Sequence, residues 1–187
     1  MSARDIQPAY LSGKSWGLPA SVLIHRLANI SCSELICGEN CRIDAFVTLT
    51  GKVKLGDNCH VGTGVGIFAG HGFEAGDLVG ISPGVQIFTA TTDVDADCLA
   101  YHSEAQFEAK PKTGPVNIGY GSCIGANAVI LPGVTIGQQV QVGANATIGK
   151  DLADFGVYVG PGKYIRDRVP LKYAAIVTGP EGSVRYG

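Results

Sequence analysis

Four histidines, His25, His60, His71 and His102, are the side chains best placed by type to move a proton near neutral pH, where an imidazole titrates. His71 stands out among them. It lies in FAGHGFEAGD (68–77), where a regular six-residue spacing of apolar residues slips by two. At such a slip the backbone leaves its regular path and can present a side chain, so His71 is the candidate catalytic base. His25 lies in an N-terminal stretch and reads as structural. His60 precedes an inward residue and reads as an outward surface side chain. His102 falls in a long interruption, where it is either catalytic or merely exposed. In the same interruption Asp93, Asp95, Asp97 and Glu104 imitate a calcium-loop spacing. Cys98 stands where such a loop needs glycine, and no helix pair flanks it. The strip reads instead as solvated or substrate-facing, with Asp93 as the substrate-binding candidate. No Cys-x-x-Cys pair occurs, so no metal is expected.

The scaffold behind these residues is a repeat. Ile118, Ile124, Ile130, Ile136, Val142 and Ile148 are spaced by six, and Ser122, Ala128, Val134, Val140 and Ala146 follow four residues after the first five. Cys37, Ile43, Leu49, Leu55, Val61 and Ile67 keep the same spacing, with Cys41, Val47, Val53, Cys59 and Val65 as companions. After the slip, Ala75, Ile81 and Ile87 continue it. Six is neither a helical period nor the bare alternation of an ordinary strand. Positions i and i+4 have the same parity, so both point inward from short strands, while GDN (56–58) and GAN (125–127, 143–145) turn the chain. Three such faces close a triangular coil of 18 residues. The 15 units, counted as 6 + 3 + 6, then make an all-β parallel β-helix of about five coils, roughly 24 Å tall at ~4.8 Å per coil. Its coils span 36–88 and 116–150, and an arm loop spans 89–115. The expected cap is 1–35, in which GLPASVLIHRLANI (17–30) reads as a short helix or cap. The C-terminal segment spans 151–187.

Composition narrows the function classes. Lys plus Arg is 14 and Asp plus Glu is 16, for a formal net charge of −2. That balance argues against an extended nucleic-acid footprint. No run approaches the ~20 apolar residues of a membrane span, and no apolar leader is evident. The expectation is a cytoplasmic, reduced protein whose six cysteines act as small hydrophobes. Glycine, at 27 of 187 residues, is about twice the usual ~7%, as many tight corners require. The low charged content of 16% fits surface hidden in an oligomer.

The hexapeptide pattern resembles the hexapeptide-repeat acyltransferase family, and the stretch around His71 resembles its sugar and surface-polysaccharide acetyltransferase branch. In the amino-sugar N-acetyltransferases of that branch the catalytic histidine precedes a hydrophobic-Gly-acid triplet by four residues. Here the triplet is Ala75-Gly76-Asp77. The residue after the histidine is Gly72 rather than an acid, which leaves Glu74 and an acid of a neighbouring chain as partners for the imidazole. The reading TATTDVD after residue 88 departs from the galactoside and antibiotic branch, which carries a histidine there. The resemblance implies a left-handed coil and acetyl-CoA as donor. It places Ala126 and Ala144, 18 apart on one corner, beside the pantetheine. Lys150 follows the last coil, and Lys163 and Arg166 match basic positions that meet the CoA phosphates. The family's Gly-Asn-Pro-Ala-Lys element is shortened here to Gly160-Pro161-Gly162-Lys163.

The resemblance further implies a homotrimer with sites between adjacent subunits, a sugar or nucleotide-sugar acceptor, and an oxyanion donor among backbone N–H groups near Thr89 or Ala90. Two other readings stand beside it. A γ-type carbonic anhydrase would need His60, His71 and His102 to converge on a metal. A non-catalytic β-helix assembly subunit would need neither base nor CoA.

Overall fold

A computed structural model describes residues 10–92 and 111–169. Within them the chain winds into a triangular prism of parallel strands with three sheet faces. The first face is centred on the inward column Ile24, Ile43, Val61, Ile81, Ile124, Val142 and Tyr158. Ile30, Leu49, Ile67, Ile87, Ile130 and Ile148 form the second column. The third is Cys37, Leu55, Ala75, Ile118, Ile136 and the bridged Leu152. The six-residue companions Val47, Val65, Val85, Ala128 and Ala146 are also fully buried. The period thus becomes three ladders of like residues in contact. Each ladder removes apolar area from water without a gap between rungs.

Cys37, Cys41 and Cys59 sit in this core as the small hydrophobes expected. The Cys41 and Cys59 thiols still donate to the carbonyls of Gly56, 3.0 Å, and Gly76, 3.1 Å. The corners are left-handed single residues. Asn40, Asn58, Asn127 and Asn145 all have φ near 57°, a conformation that asparagine tolerates better than most side chains.

Two expectations change at the N-terminal end. Residues 17–30 are not a helix: Leu23–His25 and Asn29–Cys37 are strands paired in register with the coil above. The apolar spacing there fits a helix, but Ile24 and Ile30 also keep the hexad. The exposed edge of the next coil offers backbone partners that a helix would leave unused. The expected cap region therefore supplies a coil, and the prism has about six turns rather than about five. Its open end is covered by Tyr10–Ser12, antiparallel to Leu23–His25, and by a 3₁₀ turn over Gly13–Trp16.

This strap is tied down by one carboxylate. Asp44, 8% exposed, accepts from Tyr10 Oη at 2.5 Å and Arg42 Nε at 2.7 Å, and contacts His60 Nε2 at 2.8 Å. Burial alone would push its pKa up, but the bonds from Tyr10, His60 and Arg42 outweigh it and hold the group at about 2, below its ordinary 3.8. A depressed folded pKa contributes stability that is complete above about pH 4 and is lost as the pH falls towards 2. We expect the melting temperature to drop across that window. In Asp44→Asn the drop is smaller, and stability near neutrality falls by roughly 1.5–3 kcal/mol, about 3–12 °C. Thermal denaturation by circular dichroism at stepped pH reads both.

Candidate functional site

The slip predicted at 68–77 lies on the edge between the second and third faces. On the turn below, Leu49 to Leu55 takes six residues; on this turn Ile67 to Ala75 takes eight, and the register jumps from Gly51↔Ala69 to Val53↔Phe73. The additional residues bulge outward as Gly70-His71-Gly72, with Gly72 at φ 96°. His71 is exposed, as its place on the bulge requires.

One buried side chain holds the bulge. The Thr89 hydroxyl, on the turn above, accepts from the His71 N–H at 3.0 Å and donates to the Phe68 carbonyl at 2.9 Å. Thr89 is completely buried. Its own N–H donates to the Phe68 carbonyl at 3.1 Å. That N–H is therefore committed to the fold, so of the two expected oxyanion donors, near Thr89 or Ala90, the Thr89 N–H is ruled out and its hydroxyl positions the His71 main chain instead. Glu74 is committed as well. It pairs with Lys54 at 2.7 Å on the third face, away from the imidazole. Among the described residues the His71 ring has no hydrogen-bonding partner.

The arm leaves from this same edge. Its root is a two-stranded antiparallel stem, Ala90–Thr92 against Pro111–Thr113, and the Gly114 N–H closes it on the Thr89 carbonyl at 3.0 Å. Asp93, His102 and the rest of the acidic strip lie outside the described residues. Below the stem a groove of about 230 Å³ opens on the third face. Ile36, Phe73 and Pro115 give it apolar surface, and Glu34, Lys52, Lys54, Glu74 and Asn117 give it polar rims. Gly72, one residue from His71, forms part of its wall.

Ala126 and Ala144 occupy a different edge, between the first and second faces. They stack as their spacing of 18 predicts. The Asn145 N–H donates to the Ala126 carbonyl at 2.8 Å, and a Cβ on Gly125 would stand 2.5 Å from the Ala144 nitrogen. Lys163 and Arg166 lie on the last strand, Lys163–Asp167, antiparallel to Gly156–Val159. Residues three apart on a strand normally point to opposite sides. Here a one-residue bulge pairs Lys163 with Val159 and Arg166 with Val157, which puts both basic side chains on the outer side of the first face. Lys150 stands on the edge of His71, three turns higher, with its stem against Gly162. Lys150, Lys163 and Arg166 are exposed and form no ion pair among the described residues.

The fold therefore does not gather all the predicted residues at one point. It sets His71, the arm root and Lys150 on one edge of the second face, and Ala126 and Ala144 on its other edge. His60 and His71 stand on different faces, so within one chain they do not converge as a shared metal site requires. His25 is structural, accepting from the Leu27 N–H at 3.1 Å and packing edge-on against Tyr10. The Asp44–His60 pair and the Thr89 anchor are absent from any motif. Only a strict threading of the 18-residue coil would have placed Arg42, Asp44 and His60 on neighbouring rungs.

The geometry can be set against known proteins. The family described as Bacterial transferase hexapeptide (six repeats) matches residues 35–69 and 115–150, which are coil residues on either side of the arm. Over 116 residues, 62% of this chain, it is 36% identical to Putative acetyltransferase SAR2635 of Staphylococcus aureus (strain MRSA252). The matched region spans 55% of that relative's length, about half. Among solved structures, a mutant of AntD, an N-acyltransferase from Bacillus cereus in complex with dTDP and coenzyme A, superposes with a TM-score of 0.79 at 30% identity. It covers 91% of this chain and 95% of AntD. The acetyltransferase domain of PglB from Neisseria gonorrhoeae, in complex with acetyl coenzyme A, gives a TM-score of 0.58 at 25% identity, covering 81% of this chain and 61% of that one. The shared hexads, the three-faced solenoid and the near-complete overlap with an enzyme of the same architecture lead to one conclusion: this chain belongs to the hexapeptide-repeat acyltransferase family, with its left-handed parallel β-helix.

Proposed function

We propose that the protein transfers an acetyl group from acetyl-CoA to a hydroxyl or amine of a sugar or nucleotide-linked sugar, with His71 as the general base. The observation that carries this reading is the His71 bulge. The fold uses two additional residues and one buried threonine to present a single imidazole beside a groove, and among the described residues the ring itself has no hydrogen-bonding partner. The AntD complexes support the acceptor class, because one of them contains dTDP-4-amino-4,6-dideoxyglucose together with coenzyme A. We place the activity in surface-polysaccharide synthesis on the resemblance around His71.

The chemistry needs few groups. The imidazole removes the proton from the acceptor hydroxyl or amine as its oxygen or nitrogen attacks the thioester carbonyl. The carbon–sulfur bond then breaks, the acetyl group stays on the acceptor, and the proton held by His71 passes to the departing CoA sulfur. The pantetheine lies along the Ala126 and Ala144 corner, and Lys150, Lys163 and Arg166 meet the phosphates. Three exposed cations without carboxylate partners among the described residues suit a polyanion. No metal enters this scheme. Asp93, at the start of the arm, is the residue we assign to the acceptor.

Because the base and the pantetheine corner lie on opposite edges of the second face, one chain does not complete a site. Copies arranged in a ring, a homotrimer, complete it between neighbours. Five of the cysteines are free thiols, which fits a reducing, cytoplasmic setting. No described helix is long and apolar enough to cross a membrane.

The deciding experiment combines calorimetry with acetyl-CoA and thiol release with a panel of nucleotide-linked sugars that includes dTDP-4-amino-4,6-dideoxyglucose. Wild type should bind the donor and release CoA only with an acceptor. Lys163→Ala and Arg166→Ala should each weaken donor binding by about tenfold, the loss of one exposed charge-assisted contact, with kcat little changed. A wild type that binds no acetyl-CoA would favour the assembly-subunit reading.

A further inference from the structure

The edge between the first and second faces contains an anomaly. Register pairs positions 46, 64, 84, 127 and 145 into one column, and all five residues are left-handed, with φ of 56–74°. Four are Gly64, Gly84, Asn127 and Asn145, the residue types that accept this backbone most readily. The fifth is Phe46, at φ 59° and 64% exposed. A bulky side chain is thus held in a disfavoured backbone and in water at once, and it has no ring partner among the described residues.

The faces differ in charge. The outer side of the first face carries Arg42, Asp44 and His60, and that of the third carries Glu34, Lys52, Lys54 and Glu74. The outward positions of the second face between Asn29 and Gly149 carry no charged residue. Thr48, Thr50, Val129 and Leu131 are among them, and Phe68 and Phe88 stack there at 5.2 Å. A ring of identical copies about an axis sets equivalent faces towards one another. A charged face would then gather like charges, and the second face alone avoids this. With that face turned to the axis, the Phe46 edge of one copy meets the His71 edge of the next. Phe46 stands about one rung below the bulge, since it shares a turn with Gly51 and Gly51 pairs with Ala69 on the next; a rung is ~4.8 Å, within the reach of a phenylalanine side chain. Among the described residues there is room beside His71. A Cβ on Gly70 would meet nothing within 4 Å, and one on Gly72 only Pro115 at 4.0 Å.

We infer that Phe46 of one copy packs against Gly70-His71-Gly72 of a second copy and forms the apolar wall of the acceptor site there, against which the C–H face of a sugar ring stacks. The inference rests on the reading of His71 as the base at a site shared between copies. Two measurements test it. In the first, p-benzoylphenylalanine replaces Phe46 and the full-length protein is irradiated. Expected is a chain-to-chain cross-link whose joined peptide contains residues 69–74. Cross-links only within one chain, at another segment, or none overturn it. The second uses Phe46→Gly, which relieves the backbone strain and so should fold. Its KM for the acceptor rises at least tenfold while that for acetyl-CoA is unchanged. Mixed one to one with His71→Ala subunits at low acceptor concentration, it recovers about a quarter of wild-type activity, because a quarter of shared sites then hold both residues. An unchanged acceptor KM, or no recovery on mixing, overturns the inference. If wild type transfers no acetyl group, the reading of function fails, and the cross-link alone decides this one.

Discussion

Replacing His71 with alanine is expected to lower kcat for acetyl transfer by roughly 10²–10⁴-fold, the range a positioned general base supplies, while donor binding and the melting temperature stay within error of wild type. The split follows from position. His71 is on the surface of an outward bulge, and its ring contributes no described hydrogen bond to the fold. What holds the bulge is the His71 backbone N–H on the Thr89 hydroxyl, 3.0 Å, and alanine keeps that N–H. The proposed donor contacts, at Ala126, Ala144 and the basic tail, lie on other parts of the prism. Thr89→Val should give the complementary result. The hydroxyl that fixes the His71 main chain is lost from a completely buried site, so stability and kcat fall together. Steady-state rates with both substrates, isothermal titration with acetyl-CoA and thermal melts separate the two variants. A His71→Ala protein that turned over at the wild-type rate would end the assignment of His71 as base. His60→Ala is the useful control, since its imidazole belongs to the Asp44 strap on the first face.

Gly51→Ala is expected to damage the molecule more broadly, destabilising it by roughly 2–5 kcal/mol and displacing the His71 bulge. Two effects add. Gly51 has φ 76°, where an alanine side chain costs about 1–2 kcal/mol. A Cβ there would also stand 2.2 Å from the Ala69 carbonyl oxygen and 2.7 Å from the Gly70 nitrogen. Those atoms are main chain on the next rung and cannot swing away as a flexible side chain would, so overpacking adds about 1–3 kcal/mol. The rung must move, and it is the rung that carries His71. For a chain of this size the loss corresponds to a melting temperature lower by roughly 4–20 °C, with reduced kcat in the fraction that remains folded. Gly64→Ala, whose φ is 69° with open space around its Cβ, isolates the conformational part and should cost only about 1–2 kcal/mol. Denaturant melts of the two variants give the steric part as a difference.

These two residues mark how far one dimension of information reaches. The period of six assigned nearly every core position, from Cys37 to Ile148, because inward and outward direction along a strand depends only on parity and the hexad is carried by residue type. The same logic placed Ala126 over Ala144 and put His60 outside. It located His71 at a break in the period, since an insertion of two residues has nowhere to go but outward.

Other features depended on contacts between rungs. Residues 22–30 suit a helix and a hexad alike, and the backbone partners on the neighbouring coil, invisible in a local window, selected strands. Glu74 lay close enough in sequence to serve His71, yet Lys54 on the turn below claimed it. Thr89 looked like a source of an oxyanion N–H until the Phe68 carbonyl took that donor. In each case the partner is 20 or so residues away and its alignment shifts with every bulge, so the pairing is fixed by the register of stacked turns. The division of the proposed site between two edges of one face has the same origin. Spacing in the chain tells which residues share a corner; only the closed triangle tells which corners are apart, and it is this separation that leads us to propose a second copy to bring them together.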